Sequence, residues 1–241
     1  MTDPRSRRRR RPRSAAADPA RLAAFDVLTA LREQDAYTNL LLPSLLRSRG
    51  LTGRDAAFAT ELVSGTVRRR GTYDAVLAAN VDRPLAKVDP PVLDALRLGA
   101  HQLLAMRVPS HAAVGTTVDL VRATVGQSPS GFVNAVLRKV GAHDLAGWVR
   151  RVAPDPVGDP DGFASVAYSH PRWVVGALRE ALGDRADELD ALLAADNEAP
   201  KVTLVARPGL STVEELVAGG GEPSGRSPFA VTLPGGDPGG V

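Results

Sequence analysis

Residues 130–140 read SGFVNAVLRKV and decide how the chain folds. Their apolar side chains recur at helical spacing and form a wide stripe, which predicts a helix surrounded by other helices. The members of this stripe are Phe132, Val133, Val136, Leu137 and Val140. Asn134 falls near its edge. Because a buried polar group without a partner is costly, we interpret Asn134 as a core side chain hydrogen-bonded to a neighbouring backbone.

Six more helices are predicted on the N-terminal side of this stretch. Cap residues mark four of the starts, namely Asp18, Thr52, Asp89 and Ser110. The periodic segments run over residues 19–34, 38–49, 53–70, 72–80, 90–106 and 111–126. Short connectors rich in Gly, Pro and Ser join them, and no segment has the pattern of a strand. The predicted fold of residues 18–153 is therefore an all-α bundle.

Composition narrows the classes of function. The 241 residues contain no cysteine, so they hold no disulfide, no thiolate metal site and no cysteine nucleophile. This fits a reducing cytoplasm, which is the expected location. No apolar run reaches the roughly 20 residues of a membrane span. We therefore expect no membrane partner. The four histidines are scattered without metal-ligand spacing, so we also expect no bound metal.

The positive charge is concentrated in an N-terminal tail. Residues 1–13 hold seven Arg against one Asp, a net +6, so the other 228 residues sum to −3. We expect residues 1–17 to be disordered and to bind RNA or another polyanion through counterion release. The alternative is a solvated, compositionally biased start. The tail arginines are Arg5, Arg7, Arg8, Arg9, Arg10, Arg11 and Arg13.

Two further basic clusters are candidates for RNA contact. Arg68, Arg69 and Arg70 lie at a predicted helix end, where at most two of them can face one phosphate backbone. Arg138 and Lys139 form the other cluster, with the basic residues 150–151 nearby. Either cluster could equally be a solvated helix end, where cations also favour the helix dipole.

The second half of the chain predicts a different organisation. Residues 154–164 have the composition of a linker, and 165–241 predict helices followed by an incomplete α/β subdomain. Ser169 is expected to cap a helix that ends at Leu182, and a second helix covers about 185–195. A strand over 201–206, a helix over 211–221 and a strand over 227–233 follow. We expect fraying after about Pro208, because a lone β-α-β unit is marginal.

The chain resembles the NusB-type RNA-binding domain across residues 20–141. The resemblance rests on SGFVNAVLRKV and on DALRLGAHQLLAMRVPSHAAVGTTVDLVRA at 94–123, together with FATELVSGTVRRRGTYDAVL at 58–77, which includes Gly65. Residues 115–118 depart from it: they read Gly-Thr-Thr-Val where relatives usually carry Asn-Glu-Ala-Val. We expect this departure to alter the helix surface rather than the fold.

NusB-type domains occur as free-standing antitermination factors and at the front of RsmB-type bacterial 16S rRNA cytosine-5 methyltransferases. Residues 168–209 resemble the segment that precedes the catalytic domain in these enzymes, with Ser-His-Pro-Arg-Trp at 169–173. The resemblance implies small-subunit ribosomal RNA as partner and S-adenosylmethionine as the cofactor of a catalytic domain. Neither a catalytic cysteine nor a cofactor-binding glycine motif is present, so we expect an N-terminal piece that is inactive alone. A free-standing antitermination factor and a protein-docking domain remain the alternatives.

Overall fold

The computed structural model describes residues 17–34 and 37–234. Eight helices make up the part of the chain predicted as a bundle, which confirms the mainly α fold. The seventh occupies the stretch SGFVNAVLRKV, and the eighth was not predicted. Their bounds are α1 Pro19–Gln34, α2 Thr38–Ser48, α3 Gly53–Arg68, α4 Arg70–Ala78, α5 Pro90–Leu104, α6 Ser110–Thr124, α7 Ser130–Val140 and α8 Leu145–Val152.

The helix at the centre of the bundle is α5, not α7. Ten of its 15 residues are buried, and it contacts α1, α3, α4, α6 and α7. Helix α7 instead buries one face, which runs from Ser130 to Val140. Asn134 is half-buried beside that face, and its amide makes no hydrogen bond with any residue of the described ranges. The predicted core hydrogen bond of Asn134 is therefore wrong, because the side chain reaches solvent.

Two glycines allow the helices around α5 to approach closely. A Cβ atom added at Gly99 of α5 would lie 2.6 Å from Cδ1 of Leu137, so the central leucine of α7 packs directly on the α5 backbone. A Cβ atom at Gly65 of α3 would overlap with the ring of His101, which α5 carries. Any larger residue at either position would push two helices apart.

Polar side chains at the first turns of α5 bind α1 and α4. Asp94 is only 3% exposed and accepts hydrogen bonds from Nε of Arg32 at 3.0 Å and from Nη1 of Arg97 at 3.2 Å. Arg97 also holds Asp74 of α4 in a bidentate pair, at 2.7 and 2.9 Å. Burial raises the pKa of Asp94, and the two arginines act in the opposite direction.

Polar side chains at the last turns of α5 bind α4, α1 and α6. Nδ1 of His101 lies 2.8 Å from the hydroxyl of Tyr73 in α4. Gln102 accepts a hydrogen bond from Nε of Arg21 at 2.8 Å and donates one to Oγ1 of Thr117 at 3.3 Å. Thr117 is fully buried, so the departure at residues 115–118 reaches the core. The expectation that it changes only the surface of α6 is wrong at this position.

The predicted helix starts hold to different degrees. Asp18 caps α1 and accepts a hydrogen bond from the amide of Arg21 at 2.9 Å. Thr52 and Asp89 precede α3 and α5 without a side-chain hydrogen bond, and Ser110 is the first residue of α6 rather than its cap. Helix α3 ends at Arg68 and α4 begins at Arg70, so Arg69 interrupts the helix between them. Gly71 lies inside α4.

The predicted linker 154–164 is wrong in its second half. Helix α9, Pro160–Ala167, begins inside it, because Asp159 caps the helix through the amide of Gly162 at 3.0 Å and Pro160 supplies the first helical residue. The same Asp-Pro pair starts α1. A composition rich in Pro, Gly and Asp thus serves here as a helix start as well as a connector.

Ser169 caps α4 rather than the helix that follows it. Its hydroxyl accepts hydrogen bonds from the amides of Gly71 at 2.8 Å and Thr72 at 3.4 Å, and Oγ1 of Thr72 donates to the carbonyl of Val166 at 2.6 Å. Ser169 adopts a left-handed backbone with φ of 61°. The contact joins residues almost 100 positions apart, so α9 is docked on the bundle at the start of α4.

A small second core follows this junction. Helix α10, Arg172–Leu182, a 3-10 segment, Gly183–Glu188, and α11, Leu189–Ala195, pack around α9. The buried apolar residues of this core are Ala164, Val175, Leu189 and Leu193. It is far smaller than the bundle core, so the docking on α4 contributes to its order.

The last described residues form a three-stranded antiparallel sheet. Strand β1, Thr203–Val205, pairs with β3, Ala230–Thr232, and β3 also pairs with β2, Glu222–Pro223. Helix α12, Val213–Ala218, lies between β1 and β2 in the chain and starts with a capping box. Residues 208–234 contain α12, β2 and β3, contrary to the expected fraying after Pro208, and the part of that expectation that concerns residues 235–241 lies outside the described residues. The predicted β-α-β unit lacked β2, which gives β3 a second neighbour.

Replacement of Gly65 tests the close approach of α3 and α5. We expect Gly65→Ala to lower the free energy of unfolding by about 1–3 kcal/mol, because the new methyl group overlaps with the buried ring of His101. Urea denaturation followed by far-UV circular dichroism measures the change. Gly115→Ala is the matched control, since no atom lies within 4 Å of its added Cβ. Equal effects of the two substitutions would contradict the packing described.

Candidate nucleic-acid interface

Two of the three predicted basic clusters lie within the described residues. All seven tail arginines, from Arg5 to Arg13, lie outside the described residues. Arg68, Arg69 and Arg70 lie at the junction of α3 and α4, and Arg138 and Lys139 lie in the last turn of α7. Their contact with RNA stays a prediction, and the structure decides only how the described members are arranged.

The arginines at the junction of α3 and α4 have different charged neighbours. The positive charges of Arg68 and Arg69 contribute to the lowered pKa of Glu61. Nε of Arg70 instead lies 3.9 Å from Asp74, and the Arg70 side chain is 66% exposed. Arg70 therefore lies beside the Asp74–Arg97 pair.

Beside Arg68 and Arg69 lies a small polar cluster that the sequence did not reveal. His101 is 1% exposed, and its Nε2 lies 3.5 Å from Oε1 of Glu61, which is partly exposed. The imidazole of His101 lowers the pKa of Glu61, and Arg68 and Arg69 add to this effect against the cost of burial. Burial raises the pKa of Tyr73. The scattered histidines gave no signal for this cluster, because Glu61 and Tyr73 are far from His101 in the sequence.

The basic residues of α7 are exposed and lie next to α8. The indole of Trp148 donates a hydrogen bond to the carbonyl of Val140 at 2.7 Å, which fixes α8 against the end of α7. Arg150 and Arg151 follow in the last turn of α8. Within the described ranges, no carboxylate comes within 4.0 Å of either basic pair. Two pairs of cations are thus available to a polyanion at these helix ends.

The two tryptophans have opposite environments. Trp148 is 7% exposed and packs in the bundle core. The side chain of Trp173, at the start of α10, is 77% exposed. Two of the other histidines have structural surroundings: His143 stacks edge-on against Trp148, and Nδ1 of His170 lies 2.8 Å from the carbonyl oxygen of Tyr168.

Neither a metal site nor a membrane-spanning helix is found in the part of the chain that the structure describes. No group of three potential ligands among His, Asp and Glu converges there. None of the helices in the same ranges combines the length and the apolar character needed to cross a bilayer.

Comparison with known proteins decides the family. The NusB family matches residues 18–142, which is just over half of the chain. The chain belongs to the NusB family. The match covers helices α1 to α7, and it includes Gly65, Gly99 and His101, the residues at the closest approaches of the bundle.

Several methyltransferases are similar to the chain beyond its NusB domain. Putative methyltransferase Rv1407 of Mycobacterium tuberculosis is 51% identical over 233 residues, which is 96% of this chain and 51% of that protein. Ribosomal RNA small subunit methyltransferase B of Pseudomonas putida is 34% identical over 76% of this chain and 39% of that protein. The chain spans about half the length, or less, of these curated relatives.

A solved structure shares the fold of both regions. The crystal structure of PH0851 superimposes with a TM-score of 0.63 at 15% identity, covering 91% of this chain and 49% of that one. The fold of a helical bundle followed by a smaller α/β region therefore recurs in a longer chain.

Charge is distributed unequally between these regions. Residues 18–153 hold 17 Lys and Arg against 12 Asp and Glu, a net charge of +5. Residues 154–241 hold six against 14, a net charge of −8. A polyanion is attracted to the NusB domain with its tail and repelled from the region that follows.

The contact between Glu61 and His101 predicts an effect of acid on stability. A carboxyl whose pKa is lowered by folding stabilises the protein above its ordinary value of 4.5, and this contribution disappears as the pH falls through the lowered pKa. We therefore expect Glu61→Gln to be less stable than the wild type at neutral pH. The difference should shrink below about pH 4.5, and thermal unfolding at several pH values measures it. A constant difference from pH 7 to pH 3 would contradict the assignment.

Proposed function

We propose that the chain is the RNA-binding, N-terminal portion of an S-adenosylmethionine-dependent rRNA cytosine-5 methyltransferase of the RsmB type. Its role is to position small-subunit ribosomal RNA in the cytoplasm for a catalytic domain. The observation that carries this proposal is the similarity to rRNA methyltransferases, which extends past the NusB domain into residues that dock on it. The positive charge of the NusB domain supports RNA as its partner.

The docked second region favours this function over a free-standing antitermination factor. A factor of that kind needs only the bundle, whereas here Ser169 joins α9 to the start of α4 and further structure follows. The junction lies next to Arg68–Arg70, so RNA bound at these arginines would be held at a set position relative to the second region. A protein-docking domain has no comparable use for the concentration of positive charge.

The residues described do not form a site for S-adenosylmethionine. Such a site is typically built on parallel strands with a glycine-rich turn before a helix. The sheet here consists of three short antiparallel strands. Cytosine-5 methylation also requires a nucleophile that attacks C6 of the base, and the chain has no cysteine. We propose that these residues bind RNA and that methyl transfer belongs to a catalytic domain outside them.

The salt dependence of RNA binding tests the proposal. We expect the affinity for a small-subunit rRNA fragment to fall steeply with salt, because arginines release counterions from the phosphates. Deletion of residues 1–13 should flatten the slope of log affinity against log salt by about 0.7 for each phosphate that the tail neutralises. Fluorescence anisotropy over a range of salt concentrations measures both slopes.

Two variants distinguish RNA contact at the junction of α3 and α4 from a general effect of positive charge. Arg68→Ala combined with Arg69→Ala should flatten the slope further. Arg122→Ala, which removes an arginine already paired with Asp119 at 3.0 Å, is the control and should leave it almost unchanged. Binding that is absent or independent of salt would overturn the proposal in favour of a protein-docking domain.

A methylation assay tests whether this chain lacks methyltransferase activity of its own. Incubated with labelled S-adenosylmethionine and small-subunit rRNA, the 241-residue chain should produce no 5-methylcytosine, because it lacks the cysteine nucleophile. Digestion of the RNA and chromatography of the nucleosides give the readout. Methyl transfer by this chain would contradict its assignment as the RNA-binding portion.

A further inference from the structure

A cleft opens between helices α1, α3, α4 and α5 on the side of the junction that carries Arg70. Its volume is about 360 Å³, which is at the lower end of the roughly 300–1,000 Å³ found for small-molecule sites. It is separate from the cluster of Glu61, His101 and Tyr73. A cleft of this size suits a single ring system with a short polar extension.

One wall of the cleft is apolar. Leu28 and Leu31 of α1 and Val67 of α3 contribute its apolar lining. Val67 is 40% exposed, although its neighbour Thr66 is buried. An apolar wall that is left open to solvent gains from covering by a flat ring, as in the pockets that hold an unstacked nucleobase.

The charged groups of the cleft are graded from its interior to its opening. The side chain of Asp94 is 5% exposed, that of Arg97 is 13%, that of Arg32 is 27% and that of Arg70 is 66%. The carboxylate of Asp94 is therefore the most buried charged group. Arg97 lies beside it and is bound to Asp74, and Arg32 and Arg70 lie towards the solvent. This order matches a nucleotide whose base enters first and whose phosphate stays outside.

The polar groups retain capacity for a ligand. Each carboxylate oxygen of Asp94 accepts one hydrogen bond from an arginine, and a carboxylate can accept about four in all. The guanidinium of Arg70 has no carboxylate nearer than Asp74 at 3.9 Å within the described ranges. Asp94 can accept from an amino group, and Arg70 can hold a phosphate.

We propose that this cleft binds one base of a single-stranded RNA segment, with a preference for cytosine over uracil. The inference rests on the proposed RNA-binding function and adds a base-specific contact to it. The exocyclic amino group of cytosine donates to a carboxylate. Uracil presents a carbonyl oxygen at the same position, which the carboxylate repels. The phosphate on the same nucleotide contacts Arg70 at the opening of the cleft.

The test compares two RNA ligands that differ only at the base. We expect the 241-residue chain to bind a cytidine dodecamer about tenfold more tightly than a uridine dodecamer at neutral pH and equal salt, the effect of one specific base contact. Val67→Trp fills the cleft without a change of charge. It should abolish the preference and leave the affinity for the uridine dodecamer intact.

Val217→Trp is the matched control. Val217 is 38% exposed, close to the value for Val67, but it lies in α12 outside the cleft. This variant should keep the tenfold preference, and circular dichroism verifies that both variants are folded. Equal affinities of the wild type for the two dodecamers, or a preference that survives Val67→Trp, would overturn the cleft assignment while RNA binding stands. Failure to bind either dodecamer would overturn the proposed function as well.

Discussion

The structure depends on how the buried polar side chains of α5 are satisfied. Asp94 and Arg97 at one end take partners from α1 and α4, and His101 and Gln102 at the other take partners from α4, α1 and α6. An unpaired polar group in this position would cost about 1–3 kcal/mol, so each contact penalises a rotation or shift of the neighbouring helix. Apolar packing alone tolerates such shifts far better.

The same contacts place the groups available to RNA. Arg97 holds Asp74 at the start of α4, and this start carries Arg70 and is capped by Ser169. The register of α4 on α5 therefore decides where the junction arginines lie, where the cleft opens and where the second region docks. Positive charge accumulates on the NusB domain, whereas the region after residue 153 is acidic. The start of α4 therefore carries both Arg70 and the docking contact of the second region.

Much of the bundle could be predicted from the sequence. Helical periodicity and start signals located α1 to α7, and the bounds of α7 agree with the prediction at both ends. The errors have physical reasons. The width of the apolar stripe made α7 look central, but a helix of 11 residues covers one face of α5. Asp159 and Pro160 looked like linker residues because the same side chains serve turns and helix starts.

The candidate site was less predictable. Clusters of consecutive arginines are visible in a sequence, whereas the charged neighbours of each arginine are visible only in the fold. The cleft is formed by Leu28, Val67 and Asp94, which come from three helices and share no local pattern.

By itself, the sequence determined the helices and the basic residues, because periodicity, caps and charge are local properties. The family followed from the resemblance of particular segments. Only the tertiary structure decided which helix is buried, which polar groups pair across it and which arginines of the described ranges stay exposed. These outcomes depend on contacts between residues far apart in the chain. The contact between Ser169 and Gly71 shows the reason: a hydroxyl that looks like the cap of its own helix satisfies the amides of another, because folding brings that helix closer.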